Sequence, residues 1–218
     1  MGAREDGLYE KWLRWLERIA DELVHLATDR DMYRDVGEIT KAADLPPSYF
    51  FDATNRWFAQ TQAMAVRRQT EVAEDSASLA TLLDQIARHP EVLTRARYTG
   101  LYDNAEHWQA RANASFDGLA GVGADTILPE RITADLDRLR EAAKPVKAYV
   151  DRLVAHHDRR ELTELPSFAE LNDAIDVVLE VFKEWNQWLT AAVWVEMVGA
   201  FQYDWKAPFR VAWLTDGQ

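Results

Sequence analysis

An all-α fold, an up-and-down bundle of about five to six helices, is what this chain predicts. Apolar residues recur at steps of three and four along most of its 218 residues. Only nine Gly and seven Pro punctuate it, which favours long regular elements over many turns. No stretch alternates apolar and polar residues well enough to form a sheet. Residues 1–218 read as a single helical domain with an irregular tail from about residue 203.

The elements follow in order. Trp12, Leu13, Trp15, Leu16, Ile19, Leu23 and Leu26 form one stripe and predict a first helix from about Leu8 to Ala27. Thr28 or Asp29, both good N-cap residues, would open a short second helix to Ala43. Leu45-Pro-Pro-Ser breaks the chain, and a third helix carries Tyr49, Phe50, Ala53, Trp57, Ala63, Met64 and Val66 to an end near Arg67-Arg68-Gln-Thr. Ser76-Ala-Ser opens a fourth, with Leu79, Leu82, Leu83 and Ile86, stopped at His89-Pro90.

Residues 91–129 are the least regular: Arg95 to Ala114 has helical character and Gly118 to Asp125 reads as a loop. A fifth helix begins after Pro129 and runs to about Ala155. Ser167-Phe-Ala-Glu170 fits a capping box and launches a last long helix, Phe168 to about Phe201. That helix is apolar on nearly all sides, as a central or interface helix would be. Five of the nine tryptophans lie in the last 34 residues, where helical spacing favours a core or interface role over base stacking.

Composition excludes several kinds of chemistry. With no cysteine there is no disulfide, thiolate nucleophile or cysteine-ligated metal site. Hydrophobic content of 48% and mean hydropathy of −0.37 describe a soluble globule. The N-terminus resembles neither a signal nor a transit peptide. The most apolar run, Trp188 to Phe201, is shorter than the roughly 20 residues a membrane span needs and contains Glu196. The cytoplasm is the expected compartment, and no membrane partner is expected. Glu22-Leu-Val-His25 has the spacing of a di-iron ligand pair, but no second copy occurs, so no metal and no cofactor is expected.

One stretch stands against the acidic background. From Arg138 to Arg160 there are seven Lys/Arg and three acids, a local +4 in a chain of net charge −12. Such a patch suits an anionic partner, although a chain of pI near 4.9 is a poor non-specific binder of nucleic acid. Within the helix, Ile132, Leu136, Leu139, Ala143, Val146, Val150 and Leu153 share a stripe with His157, whereas His156 shares a face with Arg152, Tyr149 and Arg138. A histidine can move a proton near neutral pH, and an arginine can stabilise charge building on a phosphate. Together they could cleave RNA without a metal. Equally, Asp158-Arg159-Arg160 could be a solvated helix end with its cations on the favourable pole of the dipole. Arg67 and Arg68 are a second candidate for phosphate contacts, against the plainer reading that they pair with Glu71 or Glu74.

The series Trp57…Met64-Ala-Val-Arg-Arg-Gln-Thr70, Ser76-Ala-Ser-Leu-Ala-Thr-Leu-Leu83, Pro90-Glu-Val-Leu93 and Ala148-Tyr-Val-Asp-Arg-Leu-Val-Ala-His-His-Asp158 resembles the abortive-infection U-type (AbiU-like) branch of the HEPN superfamily. The resemblance covers about residues 10–205. It implies a helical bundle, a homodimer, and a place in phage defence or in a toxin–antitoxin system with a cognate antitoxin. It also implies metal-independent ribonuclease activity at a site where two subunits meet.

The superfamily's motif is an arginine, four to six residues, then a histidine. Arg152 and His157 have that spacing, with four residues between. The branch's Ala-His-x-Asp signature selects His156 instead, which leaves three residues after Arg152 and puts Val150 where an arginine would stand. Both assignments stay open. On the resemblance, Arg152, His156 and His157 are the candidate catalytic residues, and Lys147, Tyr149, Arg159, Arg160, Arg67 and Arg68 the candidate RNA contacts. The alternative is a non-catalytic helical protein that binds RNA or a partner through a degenerate motif.

Overall fold

The structure, a computed structural model, describes residues 2–151 and 165–211. Its α-helices are α1 (Ala3–Ala42), α2 (Tyr49–Thr70), α3 (Leu79–Arg88), α4 (Arg95–Thr99), α5 (Glu106–Ala120), α6 (Pro129–Tyr149) and α7 (Phe168–Thr190). Short 3-10 turns lie at Pro90–Val92 and Ala207–Arg210. Among the described residues there is no strand, only an isolated bridge between Thr94 and Thr126. The all-α bundle is as predicted.

The core forms where the apolar stripes converge. α1 contributes Tyr9, Trp12, Leu16, Ile19, Leu23 and Leu26, and α3 contributes Leu79, Leu82, Leu83 and Ile86. On α6 the stripe Ile132, Leu136, Leu139, Ala143, Val146 and Val150 is buried throughout. α7 buries Leu171, Ile175, Val178, Val181, Phe182, Trp185 and Leu189, which explains why it is apolar on most sides. The indole N–H of the fully buried Trp185 donates to the buried Asp135 carboxylate on α6 at 3.0 Å, so this polar pair has a partner inside the core.

Polar side chains set the helix starts. Ser78 accepts from the Thr81 N–H at 3.1 Å and caps α3. The buried Gln69 of α2 accepts the Leu79 N–H at 2.9 Å and donates to Glu22 of α1 at 2.6 Å, joining three helices with one amide. Ser167 and Glu170 form the expected capping box at α7. The Ser167 backbone N–H holds the Glu170 carboxyl below its usual range.

Three boundaries differ from expectation. The first two predicted helices are one, α1, because Thr28 does not cap; its hydroxyl accepts the backbone N–H of Gly199 at 2.8 Å. Gly199 suits that contact, since a Cβ there would come within 3.3 Å of both Thr28 Oγ1 and Val24 Cγ1. The 95–114 segment splits into α4 and α5, which runs on to Ala120. Gln109 Nε2 closes the break by donating to the carbonyls of Thr99 and Asp103 at 3.2 and 3.0 Å. α7 stops at Thr190, eleven residues before Phe201, as Ala191 enters the left-handed region at φ 57°. Asn186 and Thr190 side chains bond into that turn, and the Tyr9 hydroxyl donates to the Leu189 carbonyl. Residues 191–206 then return across α1 as irregular chain, with Met197 buried and Lys206 paired to Asp35 at 2.5 Å.

Candidate functional site

The C-terminal turns of α2 and α6 lie side by side, and their charges interlock. Arg67 Nε is 2.8 Å from Asp151 Oδ1, and its Nη2 is 3.4 Å from Glu71 Oε2. Lys147 pairs with Glu71 and lies 3.6 Å from Asp151 Oδ2. Two cations and two carboxylates thus close a ring in which neither sign is in excess. All four side chains are between about a third and a half exposed, so each pair contributes little to stability on its own.

Arg68 turns the other way. Its Nε donates to Glu22 Oε1 at 2.7 Å, and Gln69 takes the second oxygen of that carboxylate. Glu22, half of the Glu-x-x-His match, is therefore engaged by α2. Among the described residues no cluster of His, Cys, Asp and Glu could hold a metal ion.

A cleft of about 240 Å³ opens beside this ring, lined by Met64, Arg67, Arg68, Glu71, Ala73, Ser76 and Val150. Tyr149 does not reach it. It lines a larger, mainly apolar cavity of about 430 Å³ between α2, α6 and the start of α7, with Arg56, Gln60, Val146, Leu165 and Phe168. Arg138, expected on the wet face of α6, pairs with Glu180 of α7.

The placement of the expected residues is therefore divided. Arg67 and Lys147 come together at one network, Arg68 borders the same cleft, and Tyr149 faces a different one. Arg152, His156, His157, Arg159 and Arg160 lie outside the described residues. Helical backbone continues through Val150 and Asp151 in the wider π geometry, so the last described residues before Arg152 are part of the cleft and its ion ring.

Asp151 is the participant that sequence reasoning passed over. Its signal was present, four residues after Lys147 on one helix face. The pairing of Arg67 with Glu71, also at four residues, was the plainer of the two readings of that arginine.

No helix among the described residues is long and apolar enough to cross a membrane. No curated protein and no solved structure matches the chain. The model of the HEPN family AbiU2 matches residues 9–207, nearly the whole chain, in agreement with the helical bundle and with the family that the sequence resembles. This chain belongs to the HEPN AbiU2 family.

Proposed function

We propose that the chain works in the cytoplasm as one HEPN-like domain, paired as a homodimer, that cleaves RNA without a metal in phage defence or as the toxin of a toxin–antitoxin pair. Arg152 would stabilise the scissile phosphate and His156 or His157 would move the proton. Arg67, Arg68, Lys147, Tyr149, Arg159 and Arg160 would hold the RNA backbone.

One observation carries the reading: the turn of α6 that leads into Arg152 ends at an open cleft bordered by the two arginines of α2. A phosphate entering that cleft would compete with Asp151 and Glu71 for Arg67 and Lys147. Charge-assisted, bidentate contact to phosphate is what arginine does best.

The second reading, a non-catalytic RNA- or partner-binding protein, is favoured by the same ring. Arg67 and Lys147 are neutralised by Glu71 and Asp151, and Arg68 by Glu22. A nucleic-acid surface usually keeps its positive charge uncommitted.

Cleavage of a labelled RNA pool in the presence of EDTA separates the two. On the first reading the wild type cleaves, while Arg152→Ala and one of His156→Ala or His157→Ala lose at least about a hundredfold, the usual worth of a general acid or base. Equal cleavage by the wild type and all three variants, or none by the wild type, removes the nuclease assignment.

A further inference from the structure

The second half of α1, the connecting turn and the first half of α2 form a hairpin, and a groove of about 290 Å³ runs between its two helices. Asp29, Met32 and Tyr33 of α1 face Trp57, Phe58 and Gln62 of α2 across it. Met32 and Tyr33 follow Asp29 by three and four residues, and Gln62 follows Phe58 by four, so each helix turns one face to the groove. Gln62 is 2% exposed, and its Oε1 is buried with no hydrogen-bond partner among the described residues. An unmet buried amide is costly and rare in a native fold. The groove it lines has room for the missing partner.

Asp29, exposed at the rim of the groove, is unpartnered too. Its neighbours on α1 are paired, Asp31 with Arg34 and Asp35 with Lys206, but Asp29 has no ion pair or hydrogen bond among the described residues. The surrounding protein holds its carboxyl above the usual range, and nearby His25 offsets this only in part. A carboxylate so placed gains from a cation brought against it.

The walls select among cations. Trp57 is 58% exposed, and Phe58 stacks on Tyr33 with ring centres 3.8 Å apart. Aromatic faces attract organic cations, and Met32 adds soft apolar surface for a carbon chain. A metal ion, which takes hard oxygen or imidazole ligands, gains nothing from such walls. Asp29 is the one charged side chain on the lining among the described residues, so an anionic ligand is repelled. The Tyr33 and Thr54 hydroxyl protons are committed to Asn55 and to the Phe50 carbonyl, which leaves the groove acceptors to offer.

We propose that this groove binds a small primary alkylamine in its ammonium form. Its N–H groups donate to the Asp29 carboxylate and the Gln62 amide oxygen, and its carbon chain lies against Trp57 and Phe58. The volume, at the lower end of the range for small-molecule sites, suits a ligand of that size. The site shares no lining residue with the cleft at Arg67, and it stands whether or not the chain cleaves RNA.

The test titrates the full chain with butylammonium chloride at constant ionic strength, following the NMR signals of the Trp57 indole and the Gln62 side-chain amide. Both should move along one saturable curve. Asp29→Asn should weaken binding at least about tenfold, the fold-change for losing a charge-assisted hydrogen bond. Trp57→Ala should weaken it about threefold or more. Both residues are exposed, so neither change should alter the helical signal. Gln62→Leu should weaken binding about fivefold without lowering the urea midpoint, because the amide oxygen it removes has no partner. Glu38→Gln, an exposed acid of the same helix outside the groove, should change nothing. Butyltrimethylammonium keeps the charge and the chain but has no N–H to donate, and should bind about tenfold more weakly. Equal binding of the two cations overturns the assignment of a primary amine. Shifts that never saturate, or that persist unchanged in Asp29→Asn and Trp57→Ala, show only a general attraction of cations to a chain of net charge −12 and overturn the site.

Discussion

Helices α1 and α2 each change character partway along. From Tyr9 to Ala27, α1 buries a residue every turn, and α2 does the same from Gln62 to Thr70. Beyond those points, from Thr28 to Thr61, nothing is buried and the hairpin is held by other means. Tyr33 stacks on Phe58 with ring centres 3.8 Å apart, and its hydroxyl donates to Asn55 at 2.7 Å. Arg30 reaches Asp176 of α7 at 2.6 Å. Continuous backbone thus joins a region stabilised by burial to one stabilised by a few surface contacts. A helix need not be uniformly stable, and its low-stability end is where docking and local opening belong.

The sharpest contrast comes from truncating one aromatic on each side. Phe182 is fully buried at the centre of the core, so Phe182→Ala should cost about 3–5 kcal/mol by urea unfolding. A loss below about 2 kcal/mol would mean that the core collapses around the cavity and is less rigidly packed than its burial suggests. Phe58→Ala removes the stack that braces the hairpin. Its cost should be near 1 kcal/mol, the worth of one aromatic pair, and confined to the hairpin. Amide exchange should quicken about fivefold in 28–42 and 49–61, with the slowest core amides unchanged. Equal acceleration in α3 and α7 would show that the two regions unfold together, and the comparison would fail.

The same division explains what could be read from the sequence. The core half was legible because burial imposes periodicity: the stripe from Ile132 to Val150 was predicted and is buried at each position. The errors fell where distant residues decide the local outcome. Thr28 has the chemistry of a cap, but its hydroxyl is engaged by Gly199, 171 residues away. The run after Thr190 stays apolar, yet α7 ends there because Asn186 and Thr190 bond into the turn and Tyr9 takes the Leu189 carbonyl. At the cleft, the pairs Arg67–Glu71 and Lys147–Asp151 follow from four-residue spacing. The cross-helix contacts, Arg67–Asp151 and Lys147–Glu71, depend on how α2 packs on α6, and no local pattern encodes that.

Two tyrosines give the finest measure of the difference. Tyr98 lies 3% exposed among Phe116, Trp188 and Tyr102, and burial pushes its hydroxyl far above the ordinary 10.0. Burial also raises Tyr33, but the ring lies at the hairpin surface. A raised folded pKa leaves stability complete below the unfolded value and erodes it as pH climbs from there towards the folded one, because the unfolded chain releases its proton first. For Tyr98 the loss should begin near pH 10 and amount there to roughly 0.4 kcal/mol, since half of the unfolded tyrosines are then ionised. Tyr98→Phe should be less stable at pH 7, having lost its bonds to Tyr102 and Ser115, yet should show a shallower decline between pH 9 and pH 11. Tyr33→Phe should leave that decline almost unchanged, because a residue in a loosely held hairpin can ionise by local opening without unfolding the core. If the two variants flatten the alkaline decline equally, the hairpin is coupled to the core, and the boundary at Thr28 and Thr61 marks a change in exposure without a change in stability.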